Sequence, residues 1–108
     1  MQRDLLDFLL SEFRKRPGMY LGDYNLSKLP TLIAGFMVAC HFYDESKTAM
    51  DRFSEFHEWF EKKHSLQHSS SWTLPFLEMV NHDEKAALDL FFSELDIYVT
   101  ENNLTITT

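Results

Sequence analysis

DRFSEFHEWFEKKH, residues 51–64, decides the fold class. Its apolar positions Phe53, Phe56 and Phe60 recur every three or four residues, and Glu55, Glu58 and Glu61 fall between them. That spacing is the period of an amphipathic helix with one face turned inward and the other toward water. Thr48 and Asp51 have the spacing of a capping arrangement and place the start of this helix, which is predicted to run to about His64.

The same period continues in both directions. Leu5, Leu6, Leu9 and Phe13 form one stripe of a first helix, predicted from about Arg3 to Lys15 and ended by Pro17, whose ring disfavours helical geometry at Arg16. Pro17 and Gly18 read as a turn, with Gly18 supplying a left-handed residue and residues 19–25 following as a loop. Ser27 is placed to cap a second helix, with Pro30 in its first turn and Leu29, Leu32, Ile33, Phe36, Met37, Cys40 and Tyr43 on one face. Gly35, with Ala34 and Ala39 nearby, suggests a close approach by another helix.

C-terminal to the quoted stretch, residues 65–71 read as a loop and Trp72 stands at the entrance to a short helix, about Thr73 to Asn81, with Pro75 in its first turn. Asn81 or Asp83 caps the last helix, which turns Leu88, Phe91, Phe92, Leu95 and Tyr98 inward and spreads Glu84, Asp89, Glu94 and Asp96 over the remainder. The tail Leu104–Thr108 is β-prone but too short to define a sheet. With no internal repeat, low-complexity tract or linker, the expectation is all-α: a compact bundle of about five helices around a single core, one domain over residues 1–108.

Composition makes that core plausible and limits its setting. The 108 residues include ten Phe, four Tyr and two Trp. Each fully buried Phe contributes roughly 1.5–3 kcal/mol, so no disulfide is required. Cys40 is the single cysteine and sits on an apolar helix face, where it reads as a packed, inert thiol. Met1–Asp7 lacks a basic segment followed by an apolar run, and no stretch approaches the ~18 apolar residues of a membrane span. A cytoplasmic protein without a membrane partner is the expectation.

Charge is distributed unevenly. The net charge is −7, but residues 1–43 hold five Lys/Arg against four Asp/Glu, whereas residues 44–108 hold five against thirteen. Such a field repels nucleic acid and steers a basic protein toward the acidic half.

Few residue groups suggest chemistry. His57, Glu61 and His64 at i, i+4 and i+7 share a helical face, with His68 beyond them, but Glu61 stands where the zinc-protease pattern needs its second His. Ser69, Ser70 and Ser71 lack nucleophile-elbow glycines, and Asp83 with Glu84 reads as favourable charge at a helix N-terminus. Neither a catalytic site nor a bound metal or cofactor is expected.

The most distinctive string is Arg14-Lys15-Arg16-Pro17-Gly18-Met19-Tyr20-Leu21-Gly22. It resembles the opening of the ATPase domain in type II topoisomerase subunits of the gyrase B class. That fold needs an acidic general base and an Asn on the next helix, then glycine-rich nucleotide loops. Leu29–Tyr43 supplies neither, and the chain's three glycines are Gly18, Gly22 and Gly35, so ATP hydrolysis does not carry over. As a structural corner, Pro17, Gly18, Tyr20 and Gly22 would turn the chain and lay Met19 and Tyr20 over neighbouring helices.

Taken with Leu29, the Gly35-Phe36 pair, Phe56, Trp59, Phe60, Trp72 and the run Glu84–Phe92, the string Arg16–Gly22 also resembles small bacterial immunity proteins of polymorphic-toxin and contact-dependent growth inhibition systems. This resemblance implies a non-enzymatic cytoplasmic protein that binds and neutralises one cognate toxin domain, often a nuclease. The candidate contacts are Glu55, Glu58, Glu61, Asp89, Glu94 and Asp96 toward a basic surface, with Trp72 as an aromatic anchor or a core lid. Two alternatives come from other classes: a helical adaptor or regulatory module, with homo-oligomerisation as one form of it, and a metal-dependent protein built on His57, Glu61, His64 and His68.

Overall fold

The first helix opens on a pair of carboxylates. In α1 (Leu5–Ser11) the Asp4 side chain accepts the Asp7 N–H and the Asp7 side chain accepts the Asp4 N–H, each at 2.9 Å, a reciprocal cap that satisfies donors the helix leaves unpaired. The computed structural model describes residues 4–43, 51–67 and 71–107. The helix predicted to reach Lys15 stops at Ser11, and Phe13–Lys15 forms a separate 3-10 turn. Ser11 Oγ donates to the Asp7 carbonyl at 2.6 Å, a bond back to the i−4 carbonyl of the kind that bends helices.

Arg16 lies outside the helical region, at φ −145° and ψ 55°, in keeping with the residue before a proline, but the expected turn at Pro17 and Gly18 is a short helix, α2 (Pro17–Leu21), with Pro17 in its first turn. The left-handed residue is Gly22, at φ 80°, which closes α2. Gly18 serves a different purpose: a Cβ there would stand 3.3 Å from the Tyr24 ring, so its value is space. Ser27 lies in a 3-10 turn, Leu26–Lys28, and does not cap α3 (Leu29–Tyr43); its N–H and hydroxyl both donate to Glu84, at 2.9 and 2.6 Å.

α4 (Asp51–Lys63) is the helix of the quoted stretch, while the Thr48 cap lies outside the described residues. α5 (Leu74–Met79) is followed by left-handed Asn81 and His82, and Asp83 accepts the Ala86 N–H at 3.0 Å to cap α6 (Glu84–Glu101). The described residues therefore hold six α-helices, α2 being the one that the turn reading of Pro17–Gly18 missed. None is long and apolar enough to cross a membrane.

Buried residues from α1, α3, α4, α5 and α6 join in one core that is largely aromatic. Phe56 is its hub, with ring centroids of Phe91 at 5.9 Å, Phe76 at 6.3 Å and Tyr98 at 5.4 Å; Phe60 stacks on Phe76 at 4.2 Å. A second group links Phe8 to Phe36 of α3 at 5.4 Å and Phe13 to Phe92 of α6 at 5.7 Å. Adjacent Phe91 and Phe92 join the two groups. Each well-placed pair adds ~0.5–1.5 kcal/mol beyond area burial.

One polar network ties α1, α4 and the tail together. Asp7 is 3% exposed, and its Oδ1 accepts Arg52 Nη2 at 3.0 Å and the Thr107 N–H at 2.7 Å. Arg52 also grips Asp4 through Nε at 2.6 Å and Nη2 at 2.8 Å, and donates to the Thr105 carbonyl at 2.7 Å. Burial opposes charge on Asp4, but hydrogen bonds from Arg52 and Asp7 outweigh it and hold its pKa below the ordinary value. The same bond to Asp4 raises the pKa of Arg52. Leu104 and Ile106 pack on the core, so the β-prone tail is an extended strap.

α3 is unusual on its outer side. Leu29 and Ile33 are buried, yet Ala34, Gly35, Val38, Ala39 and Phe42 are exposed, Val38 by 57% and Phe42 by 73%. Among the described residues a Cβ on Gly35 would meet nothing within 4 Å, so none of them makes the close approach expected there.

Arg52→Ala is expected to lower unfolding stability by about 3 kcal/mol in urea titrations, because it strips a buried carboxylate of its cation; a loss below ~1 kcal/mol would reduce the network to a surface contact. In dilute protein, Gly35→Ala is expected to raise stability by up to ~1 kcal/mol, since helix propensity improves in open space. Gly22→Ala is expected to lower it by about 1 kcal/mol, since a Cβ is strained at that φ. Thermal unfolding of the two variants checks the pair of signs.

Candidate functional site

α4 and α6 lie side by side, and all six acidic candidates are on these two helices. Tyr98 donates to the Arg52 carbonyl at 3.2 Å, and Trp59 Nε1 donates to Glu101 at 3.2 Å, so the edge between the helices is pinned at two points. Glu55 and Glu58 are exposed on α4, and Glu61 is half-buried. Burial raises the pKa of Tyr98 and the charge of Glu55 adds to it, which places Glu55 beside that edge. Trp59 stacks at 6.0 Å on Phe56 and lies 5.4 Å from Tyr98, with Lys63 Nζ 4.9 Å from its ring centroid. Glu55, Glu58, Trp59 and Glu101 thus form one acidic edge with an aromatic floor.

The other sequence candidates are placed elsewhere. Glu94 is 6% exposed, so it does not lie on the acidic surface where it was expected. It faces α4, accepting Lys63 Nζ at 2.9 Å, with His64 Nε2 3.4 Å away. The reason is its position: Glu94 projects from the side of α6 that packs against α4. Asp96 is held by Arg14 through both guanidinium nitrogens, an arrangement that raises the pKa of Arg14. Asp89 is exposed and pairs with Lys85 at 3.6 Å. These two acids share a cleft of about 570 Å³ with Arg14, Lys15, Tyr24 and Lys85, where three cations face the two carboxylates.

Trp72 is the core lid. Its ring packs 5.5 Å from Phe53, 4.9 Å from His57 and 5.4 Å from Phe91. The tryptophan on the acidic edge is Trp59. Its place was readable in part, since it falls between Glu58 and Glu61, but nothing in the local pattern of α4 says that Glu101 lies across from it. In the Pro-Gly string Tyr20 packs edge-on to Phe8 at 5.4 Å, as expected, while Met19 remains largely exposed.

Among the described residues the histidine face does not assemble into a ligand set. His57 lies edge-on to Phe53 at 4.4 Å, and its Nε2 is buried without a hydrogen-bond partner among the described residues. His64 packs on Phe60 at 4.6 Å, and His68 lies outside the described residues. No group of three or more His, Cys, Asp or Glu side chains that could hold a metal occurs among the described residues. Cys40 is half-buried on α3 rather than enclosed.

With this geometry in view, no family model, curated protein or solved structure matches the chain.

Burial lowers the pKa of His57 to about 4, against a smaller upward pull from Glu61. The unfolded chain takes up this proton as pH falls through about 6.5, whereas the folded chain resists until about 4, so protonation favours unfolding across that window. Stability is expected to fall by roughly 3 kcal/mol from pH 7 to pH 4 on this account, and His57→Phe should flatten that part of the curve. The depressed Asp4 carboxyl acts lower: its contribution, present above pH 3.8, fades as pH drops below that value. Urea titrations at half-unit steps in pH check this; an unchanged slope in His57→Phe would assign the loss to other groups.

Proposed function

We propose that the protein is an immunity-type inhibitor: it binds a toxin domain through the acidic edge of α4 and α6 and covers the basic surface that the toxin uses on its substrate. The observation that carries this reading is the edge itself, where Glu55 and Glu58 are exposed and Glu101 borders a half-buried Trp59. Charge of this kind accelerates encounter and rejects wrong partners, and the aromatic floor offers apolar area for affinity. Two further features support it. The acidic excess belongs entirely to residues 44–108, and the string Arg16–Gly22 with the aromatic helix and Glu84–Phe92 resembles immunity proteins of contact-dependent systems.

The same edge is poorly suited to nucleic acid, whose phosphates its carboxylates repel. In this reading Asp89 and Asp96 contribute less than the α4 acids, because Lys85 and Arg14 already balance them. Inhibition works by occlusion, so it requires no catalytic group on this chain.

Co-expression with the toxin domain encoded beside the gene is expected to restore growth and to yield a copurifying pair. Glu55→Lys with Glu58→Lys is expected to slow association by ~10-fold or more at low salt, with the difference shrinking at high salt. A chain that neither protects cells nor copurifies would sink the reading.

A further inference from the structure

The Arg14–Gly22 string takes no part in the acidic edge, yet with the loop after it the string forms one wall of a cleft. The other side is a single face of α6, where Lys85, Leu88, Asp89, Phe92, Ser93 and Asp96 recur at helical spacing over ~16 Å. The space between measures about 570 Å³. That lies within the ~300–1,000 Å³ of small-molecule sites. Its lining consists of described residues alone.

Tyr24 is held in this wall although half of it is exposed. Gly18 makes room for its ring, which stands 3.3 Å from where a Cβ would be. Left-handed Gly22 turns the chain toward it, and Asp23 fixes the loop by accepting the Asn25 N–H at 3.0 Å and Lys28 Nζ. Arg14 is fixed as well, by two bonds to Asp96 and by its place 5.6 Å from the Phe92 ring centroid. Leu88 and Phe92, both buried in the core, form a rigid floor. A site whose floor and walls are set in advance loses little entropy when it is filled.

Charge selects the ligand. Asp96 takes Arg14 and Asp89 pairs with Lys85, which leaves Lys15 without an ion pair among the described residues. Three cations against two carboxylates give the cleft a surplus of one positive charge. A carboxylate matches that surplus. A phosphate monoester, carrying close to two negative charges at neutral pH, is opposed by Asp89 and Asp96, and a cation is opposed by the surplus itself. The hydroxyls of Tyr24 and Ser93 add neutral donors, and the rings of Tyr24 and Phe92 favour a flat apolar body.

We propose that this cleft binds a small organic monocarboxylate with a flat apolar body, its ring against Tyr24 over the Leu88–Phe92 floor and its carboxylate on Lys15. The site is separate from the acidic edge of α4 and α6, and its test needs no toxin.

Naphthylacetate, naphthyl phosphate, naphthylmethylamine and uncharged naphthylmethanol share one ring system and differ in charge. Each is titrated into the isotope-labelled chain and followed by two-dimensional amide NMR. Naphthylacetate is expected to shift the amides of Lys15, Tyr24, Phe92 and Ser93 with a Kd of ~1 mM or tighter, the scale set by its size. The other three probes are expected to bind ~3-fold or more weakly. Lys15→Gln is expected to weaken naphthylacetate by ~3–5-fold and to erase its advantage over naphthylmethanol, with amides outside the cleft unmoved. Tyr24→Ala is expected to weaken all four probes alike. Shifts absent up to ~10 mM naphthylacetate, or mapping away from the cleft, overturn the proposal. Phosphate, amine or alcohol binding as tightly as the carboxylate overturns it as well, as does an unchanged preference in Lys15→Gln.

Discussion

The buried carboxylate of Asp7 is the constraint on which the tertiary structure turns. A carboxyl group so far from water needs hydrogen-bond donors, and here they come from three separate places: the Asp4 N–H, the Arg52 guanidinium and the Thr107 N–H. Residues 4, 7, 52 and 107 must therefore meet at one point. That meeting sets the angle of α1 against α4 and straps the C-terminus across both. Hydrophobic burial would drive the same helices together without choosing among neighbouring registers. A fork of hydrogen bonds from one arginine accepts far fewer arrangements.

The aromatic core fills the space so defined. Phe56 and Phe91 contact rings from α4, α5 and α6, and Phe91 with Phe92 couples them to the group around Phe8 and Phe13. His57 belongs to this interior as an aromatic plate lying on Phe53 and Trp72. Its neutrality follows from that position, since the surrounding rings offer no hydration to an imidazolium. Among the described residues it joins no group of three or more side chains that could hold a metal.

The acidic half of the chain is not one surface. α6 carries carboxylates on three sides, and packing assigns each a different fate: Glu94 turns toward Lys63 and His64, Asp96 is taken by Arg14, and Glu101 is held by Trp59 at the exposed edge. Net charge alone exaggerates the acidic area a partner can read, because part of it is spent inside the protein. α3 shows the converse, with apolar Val38 and Phe42 largely exposed.

Helix type and the inward residues were legible from spacing because amphipathic period is a local property. Phe53, Phe56, Phe60, Leu88, Phe91 and Leu95 are buried as their positions foretold. Asp83 as the cap of α6 was legible as well, since a cap acts within three residues. Gly18 and Gly22 were harder to separate: a Pro-Gly pair is compatible with a turn or a helical first turn, and the choice rests on Tyr24 needing the space beside Gly18. Nothing local distinguishes Glu94 from Glu58, or Trp72 from Trp59. Their burial depends on which helix lies alongside, at sequence separations of tens of residues, and so do the bonds from Ser27 to Glu84 and from Arg14 to Asp96. The sequence by itself determined an all-helical chain with an aromatic interior and a charge bias toward its C-terminal part. Only the tertiary structure decided which charges face water, because a carboxylate's solvation is set by its neighbours in space and not by its neighbours in the chain.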